Sequence, residues 1–234
     1  METNGVLEDK SFQQHAILSN LSCENQTRLK EKGKILNFDV GEFVCHEGDK
    51  VRNCWLLISG EIKLVKHTSS GHVLLVDIIF PNELFGLVFY EKNPIQPASA
   101  VALKQVKICE FPFTILYENL QKNSILMGLL LEDTCKKLCQ SIALRGLALE
   151  NVPTRIAYIL LRLYSKFGLI IPETRSTLAE LAGTSTETAI RITRNMEIRG
   201  ILNLERGRIT ILNLEPIQKV CGIWHLHDSP GTQV

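Results

Sequence analysis

Short apolar runs broken by turn residues fill the chain from Lys34 to Phe113. "ILNFDVGEFVCHEGD", "CWLLISGEIKLVKHTSSGHVLLVDIIF" and "AVALKQVKICEF" are rich in Val, Ile and Leu, and Gly41, Gly48, Gly60, Gly71 and Gly86 punctuate them at intervals of 7, 12, 11 and 15 residues. Ser69-Ser70-Gly71 between "IKLVKH" and "HVLLVDI" is a hairpin turn. Regular short strands with glycine turns predict a compact antiparallel β-barrel, roll or sandwich. Ahead of it, "QHAILSNLSCENQTRLKEK" reads as short helices with Ser or Asn at their starts.

After Phe113 the period changes from strand to helix. Gly128, Leu131, Cys135, Leu138, Ile142, Arg145 and Leu149 follow one another at alternating steps of 3 and 4, the seam of a coiled coil on one long helix. That helix is expected to end near Asn151, because Pro153 disfavours helical geometry in the residue before it. An apolar stripe of this length needs a partner. A second copy of the same helix on a twofold axis is the simplest one, and the β-domain of the same chain is the other.

From Pro153 the pattern is mainly helical. "PTRIAYILLRLYSKFG" has Pro in its first turn, an apolar stripe at Ile156, Ile159, Leu160 and Leu163, and Gly168 at its end. "STLAELAG" is a short helix capped by Ser176 or Thr177 and stopped by Gly183. "STETAIRITRNMEIRG" is a second helix that stops at Gly200, and "ILNLERGRITILNL" folds back on itself around Arg206-Gly207. Only Gly183-Thr184-Ser185 joins the two short helices, so the order reads as a winged helix-turn-helix. The chain as a whole is expected to be α+β, with an effector or sensor domain at 1–118, a dimerisation helix at 119–152 and a winged helix-turn-helix domain at 153–234.

Charge adds one thing to this picture. The 234-residue chain has a formal net charge of +1, yet residues 153–213 hold nine Lys/Arg against five Asp/Glu. A basic segment on a near-neutral protein points weakly to a polyanionic partner. Composition is ordinary for a globular protein. No signal peptide opens the chain and no apolar run could span a bilayer, so the expected location is cytoplasmic, away from any membrane. The seven cysteines are odd in number and scattered, which suits thiols better than a disulfide framework.

Within the helix-turn-helix the second helix, 186–198, is the one that reads DNA. With Ser185 as its cap, Thr186, Glu187 and Thr188 occupy the first turn and Arg191 lies one turn further on. Glu can accept from the cytosine amino group and Arg can donate twice to guanine. Arg194 and Arg208, at the hairpin tip, are placed for phosphates, and Ser185 offers the free amides of the helix start to the same groups. Two plainer roles compete. Thr184-Ser185-Thr186-Glu187 is also a capping box that would turn Glu187 inward, and Glu187–Arg191 is also an i, i+4 ion pair.

From about Leu36 to Leu214 the chain resembles the Crp/Fnr family of bacterial transcription regulators. "VGEFVCHEGDKVRNCWLLISGEIKLVKH" is similar to the β-roll of cyclic-nucleotide-binding domains, "NSILMGLLLEDTCKKLCQSIALRGLALENVPTRIAYILLRL" to the family's dimerisation helix and hinge, and "TLAELAGTSTETAIRITRNME" to its helix-turn-helix. The resemblance implies a homodimer on a palindromic double-stranded operator, with Glu187 and Arg191 on the bases and RNA polymerase as a partner. The alternative is a sensor module of cyclic-nucleotide type that acts through a protein partner instead of DNA.

The family's cyclic AMP pocket is implied at Phe85, Gly86, Leu87, Pro97, Ala98 and Ser99, with Gln140 and Ser141 on the long helix. Where that pocket has a Glu and an Arg, "ELFGLVFYEKNPIQPASAVAL" has Leu87 after Gly86, and Pro97 or Ala98. A buried phosphate without a cation is costly, so the sequence predicts no tight cyclic AMP binding. An iron–sulfur cluster is not expected either, because Cys23 stands alone before the β-part. Haem or another small apolar effector beside Leu87, Phe89, Met127 and Leu131 stays open against ordinary core packing. Cys135 and Cys139, one turn apart, are either a redox or metal switch or small core residues. Cys45-His46 and His225/His227 are too sparse for a metal site, so none is expected. No paired carboxylates, nucleophile–base set or phosphate loop marks an enzyme.

Overall fold

The structure is a computed structural model that describes residues 15–67, 69, 73–88, 93–147 and 149–221. The chain divides into two compact units, Met1–Leu138 and Cys139–Val234.

The first unit opens with two short helices, α1 (Ala16–Ser19) and α2 (Cys23–Lys32). The strands follow: β1 (Lys34–Phe38), β2 (Phe43–Cys45), β3 (Asn53–Ser59), β4 (Ile62–His67), β5 (Val73–Ile79), β6 (Leu84–Phe85), β7 (Ser99–Ala102) and β8 (Val106–Pro112). They form two antiparallel four-stranded sheets, ordered β1-β8-β3-β6 and β2-β7-β4-β5. The hairpin of β4 and β5 is as expected, with His67 opposite Val73, although Ser70 and Gly71 of its turn lie outside the described residues. The unbroken apolar run of β3 has a structural cause: its sheet is covered on both faces, so neither face is left to be polar. Trp55 and Leu57 join Ile108 and Phe85 in a core shared with the second sheet. Cys54 and Leu56 point the other way with Cys109 and Phe111, onto a core closed by helices through Leu18, Leu29, Leu116 and Leu126.

Helix α3 (Phe113–Lys122) leads to Asn123, whose Oδ1 accepts from the amides of Ile125 at 3.0 Å and Leu126 at 3.3 Å and so starts the long helix α4 (Ser124–Leu147). The long helix is thus shorter than the 119–152 expected from the pattern. Residues 119–122 belong to α3, and Leu149, the last seam position, falls in a turn beyond α4. The reason lies downstream. Asn151 takes an extended conformation to cap α5 (Val152–Phe167), its Oδ1 accepting from Thr154 N at 3.0 Å, so the chain must leave the preceding helix earlier.

In the second unit α5 buries Ile156, Tyr158, Ile159, Leu160 and Leu163 and ends at Gly168, φ 71°. Strand β9 (Ile170–Ile171) follows, then α6 (Arg175–Leu181), α7 (Thr186–Ile198), and a hairpin of β10 (Leu202–Glu205) and β11 (Arg208–Ile211) around Arg206-Gly207. The cap of α6 is Thr174, whose Oγ1 accepts from Thr177 N at 3.1 Å, not Ser176 or Thr177. Two elements had no pattern of their own: the two-residue β9, which pairs with β11 as a third wing strand, and α8 (Glu215–Cys221), which buries Ile217 and Cys221. This is an α+β protein, with antiparallel sheets and helices in the first unit and a winged helix-turn-helix in the second.

Candidate nucleic-acid interface and ligand cavity

Ser185 starts α7 as foreseen: its Oγ accepts from Thr188 N at 3.2 Å and donates to Thr188 Oγ1 at 2.9 Å. Thr188 therefore takes the place across the cap that a capping box would give to Glu187. Ala189, Thr193 and Met196 form the buried stripe of α7. Glu187, Arg191 and Arg194 each precede one of these by two residues, which at about 100° per residue puts them on the opposite face. All three are exposed. Among the described residues, neither Glu187 nor Arg191 takes part in an ion pair. That face therefore keeps its donors and acceptors free.

Ser185 and Thr186 are exposed at the start of α7, while Thr188 is half-buried in the cap. Arg208 pairs loosely with Glu205 of the wing at 3.6 Å, and both remain half exposed. A second carboxylate is spent on architecture: Glu197 accepts from Leu204 N at 3.0 Å and fastens α7 to β10. Three residues absent from the sequence-based set, one of them on α7 itself, meet at this helix. Arg175, Arg206 and Ile190 line one cleft of about 220 Å³ with Thr186 and Gly207. Their number in the sequence carries no sign of this proximity, because it is set by how the wing folds back on α6 and α7.

The first unit holds a cavity of about 470 Å³. Phe85, Gly86, Leu87, Pro97 and Ala98 line it, as the sequence-based set has it. Ser99 does not; its buried Oγ accepts from Glu47 N at 2.9 Å. Gln140 and Ser141 lie on α4 beyond the first unit and are not among the lining residues. Gly86 is obligatory here. Its φ is +75°, and a Cβ would stand 2.4 Å from the ring of Trp55, which stacks on Phe85.

Of the residues suggested for an apolar effector, Leu87 lines this cavity, Met127 and Leu131 are exposed on α4, and Phe89 is outside the described residues. Cys45 is the cavity's one sulfur among the described lining residues, and burial pushes its thiol up to about 11. A thiol so protonated is a poor metal or haem ligand. Cys135 and Cys139 are exposed on α4 in the single chain, so they are not core residues of the chain itself. His225 and His227 lie outside the described residues.

A β-roll joined to a winged helix-turn-helix defines a DNA-binding transcription regulator. The cyclic nucleotide-binding domain model matches residues 35–123 and the Crp-like helix-turn-helix domain model residues 154–220. The global nitrogen regulator of Synechococcus elongatus is 22% identical over 191 residues, covering 77% of this chain and 86% of the relative. The transcriptional activator protein FnrA of Stutzerimonas stutzeri is 24% identical over 186 residues, 74% of each chain. The structure of FixK2 from Bradyrhizobium japonicum superposes with a TM-score of 0.71 at 16% identity, covering 81% of this chain and 98% of that one. The chain belongs to the Crp/Fnr family of transcription regulators. Its family is one of DNA-binding regulators and not of enzymes. Among the described residues no helix is long and apolar enough to cross a membrane.

Proposed function

We propose that the chain works in the cytoplasm as a homodimer that reads a palindromic operator, with RNA polymerase as its partner in transcription. One domain partition serves this role: 1–118 senses an effector, 119–152 dimerises and 153–234 binds DNA. Glu187 and Arg191 contact base edges of a half-site containing a G·C pair, while Ser185, Thr186, Thr188, Arg194 and Arg208 hold the flanking backbone. The observation that carries this is the stripe of Glu187, Arg191 and Arg194, exposed and directly opposite the buried stripe of α7.

Dimerisation rests on α4. Leu131, Leu138 and Ile142 of the predicted seam are 62%, 58% and 56% exposed in the single chain, alongside exposed Gly128, Cys135 and Arg145. The opposite face of α4 places Leu126 and Leu130 in the core of its own unit, so the seam is left over for a second copy. The cavity of the first unit is the effector site. Among its described lining residues the one Lys or Arg, Lys137, is already paired with Asp133, which supports an effector other than cyclic AMP.

The test is selection from a randomised duplex library by the purified chain at near-physiological salt. Recovery of a palindrome with half-sites one helical turn apart is expected. Recovery of only salt-sensitive, sequence-independent duplex, with and without added small molecules, would favour a protein partner for the second unit instead.

A further inference from the structure

The cavity wall in the first unit describes the chemistry of what fits it. Leu64, Ile79, Leu84, Phe85, Leu87 and Val88 make it mainly apolar. Its polar groups are few, and most are already engaged. Lys137, the one Lys or Arg among the described lining residues, forms an ion pair with Asp133 Oδ2 at 2.9 Å and donates to the Leu84 carbonyl at 2.8 Å. The Thr134 hydroxyl donates to the Leu130 carbonyl at 2.7 Å. Asp133 and Asp77, the latter 6% exposed, add two carboxyl groups to the same wall. An anion entering here would lose its hydration and find carboxyls where it needs an unengaged cation.

Gln96 is different. It is 4% exposed, and its Nε2 has no hydrogen-bond partner among the described residues. Its main chain is held on both sides: its amide donates to the Asp49 carbonyl at 2.8 Å, and its carbonyl accepts from Gly48 N at 2.9 Å. The side-chain amide stands against Gly86 at the cavity wall, Nε2 lying 3.5 Å from where a Cβ on that glycine would be. A buried N–H without an acceptor is unfavourable, and an acceptor brought by a ligand relieves that cost.

We infer that this cavity takes an uncharged, mainly apolar small molecule carrying a carbonyl or comparable acceptor, which the Gln96 side-chain amide binds beside Gly86. The inference rests on the cavity being the effector site, and it names the chemistry of the effector. Cyclic nucleotides fall outside that class, since their phosphate would face Asp77 and Asp133 without a free cation among the described lining residues.

Four probes test it on the purified full-length chain by ligand-observed NMR titration: acetylnaphthalene, isopropylnaphthalene of nearly the same shape, naphthoate, and cyclic AMP. The ketone is expected to bind about tenfold more tightly than the hydrocarbon, the worth of one buried hydrogen bond, with no saturable binding of either anion. Gln96→Leu is expected to remove the ketone's advantage and leave the hydrocarbon unchanged. The wild-type ranking stands whether or not that variant folds. Four results would each overturn the inference: tighter binding of naphthoate or cyclic AMP than of the ketone, equal binding of ketone and hydrocarbon, an undiminished ketone advantage in folded Gln96→Leu, or no binding of any probe. Affinity for the library-selected duplex, measured with and without ketone, separates the two layers. Ketone binding through Gln96 that leaves DNA affinity unchanged sinks the effector site and keeps the ligand class. An anion that binds and shifts DNA affinity does the reverse.

Discussion

The outer face of α7 and the wall of the cavity treat charge in opposite ways. On α7, Glu187, Arg191 and Arg194 are exposed and project from a helix whose other face is anchored by Ala189, Thr193 and Met196. Around the cavity, Lys137 is already bound to Asp133 and to a main-chain carbonyl, and the rest of the wall is largely apolar. The contrast follows from the partners each surface can take. A duplex brings phosphates and polar base edges, so the side chains that meet it must be free when it arrives. A cavity that strips its ligand of water cannot leave a charge unmatched, so the charges it has are paired within the protein. On the proposed reading, the same family architecture therefore has a reading head with open charges and a sensor whose wall favours uncharged ligands.

The sharpest way to break this comparison is to remove the open charge. Arg191→Ala acts in both half-sites of a dimer, and at about 1–3 kcal/mol for each bidentate base contact operator affinity should fall about thirtyfold or more. Discrimination at the contacted G·C pair should be lost with it. Fluorescence anisotropy on the selected operator and on versions changed at that pair checks both effects. Unchanged discrimination would mean that Glu187–Arg191 is only helix surface.

Gly86→Ala attacks the other side. A Cβ in left-handed backbone and in collision with the Trp55 ring should cost about 2–4 kcal/mol of first-unit stability, from backbone strain together with overpacking. Urea denaturation followed by tryptophan fluorescence measures it. DNA contacts of the isolated second unit are untouched by the change, so a variant that stays folded yet fails to bind operator would reveal coupling between sensing and reading.

Arg206→Ala should have a smaller and different effect: a uniform loss of affinity across sequences and a salt dependence shallower by about one phosphate contact per protomer. Measuring operator and unrelated duplex over a range of salt concentrations distinguishes this from base reading.

The smallest expected effect is at the exposed pair of Glu47 and Lys66, 2.6 Å apart, where Lys66 also donates to the carbonyl of Pro97 beside the cavity. The hydrogen bond from Lys66 holds the Glu47 carboxyl below its ordinary 4.5. A depressed carboxylate pKa contributes stability that is present above the unfolded value and lost as pH falls through the folded one. The small stability difference between the chain and Glu47→Gln should therefore exist at neutral pH and vanish in acid below 4.5. A difference that grows in acid would contradict the pairing. Screening at the surface keeps the effect slight at any pH.

Much of this was legible along the chain. The strand runs with their glycines, the change of period after Phe113, the cap at Ser185 and the two-residue wing turn at Arg206-Gly207 all lie in local pattern, where propensity and spacing act between near neighbours. The charged stripe of α7 could be read for the same reason: a 3.6-residue period states which residues share a face. Local pattern was less able to place ends. The long helix stops at Leu147 because Asn151 is needed as the cap of the next helix, and the cap of α6 is Thr174 because the chain turns there from β9. Two short elements, β9 and α8, exist only through what they pair with or pack on, which no window of their own residues contains.

The cavity of the first unit shows the limit most clearly. Composition and order alone determined that a β-roll, a long apolar-seamed helix and a helix-turn-helix follow one another, and that the usual partners of a cyclic phosphate are missing near Leu87 and Pro97. Only tertiary structure decided that Lys137 reaches the carbonyl of Leu84, that Gln96 stands beside Gly86, and that Arg175 and Arg206 flank the same helix. The physical reason is range. Periodicity and capping are energies between residues a few positions apart, whereas a cavity or a groove is assembled from segments tens of residues distant, whose meeting is set by the packing of sheet on sheet and helix on helix.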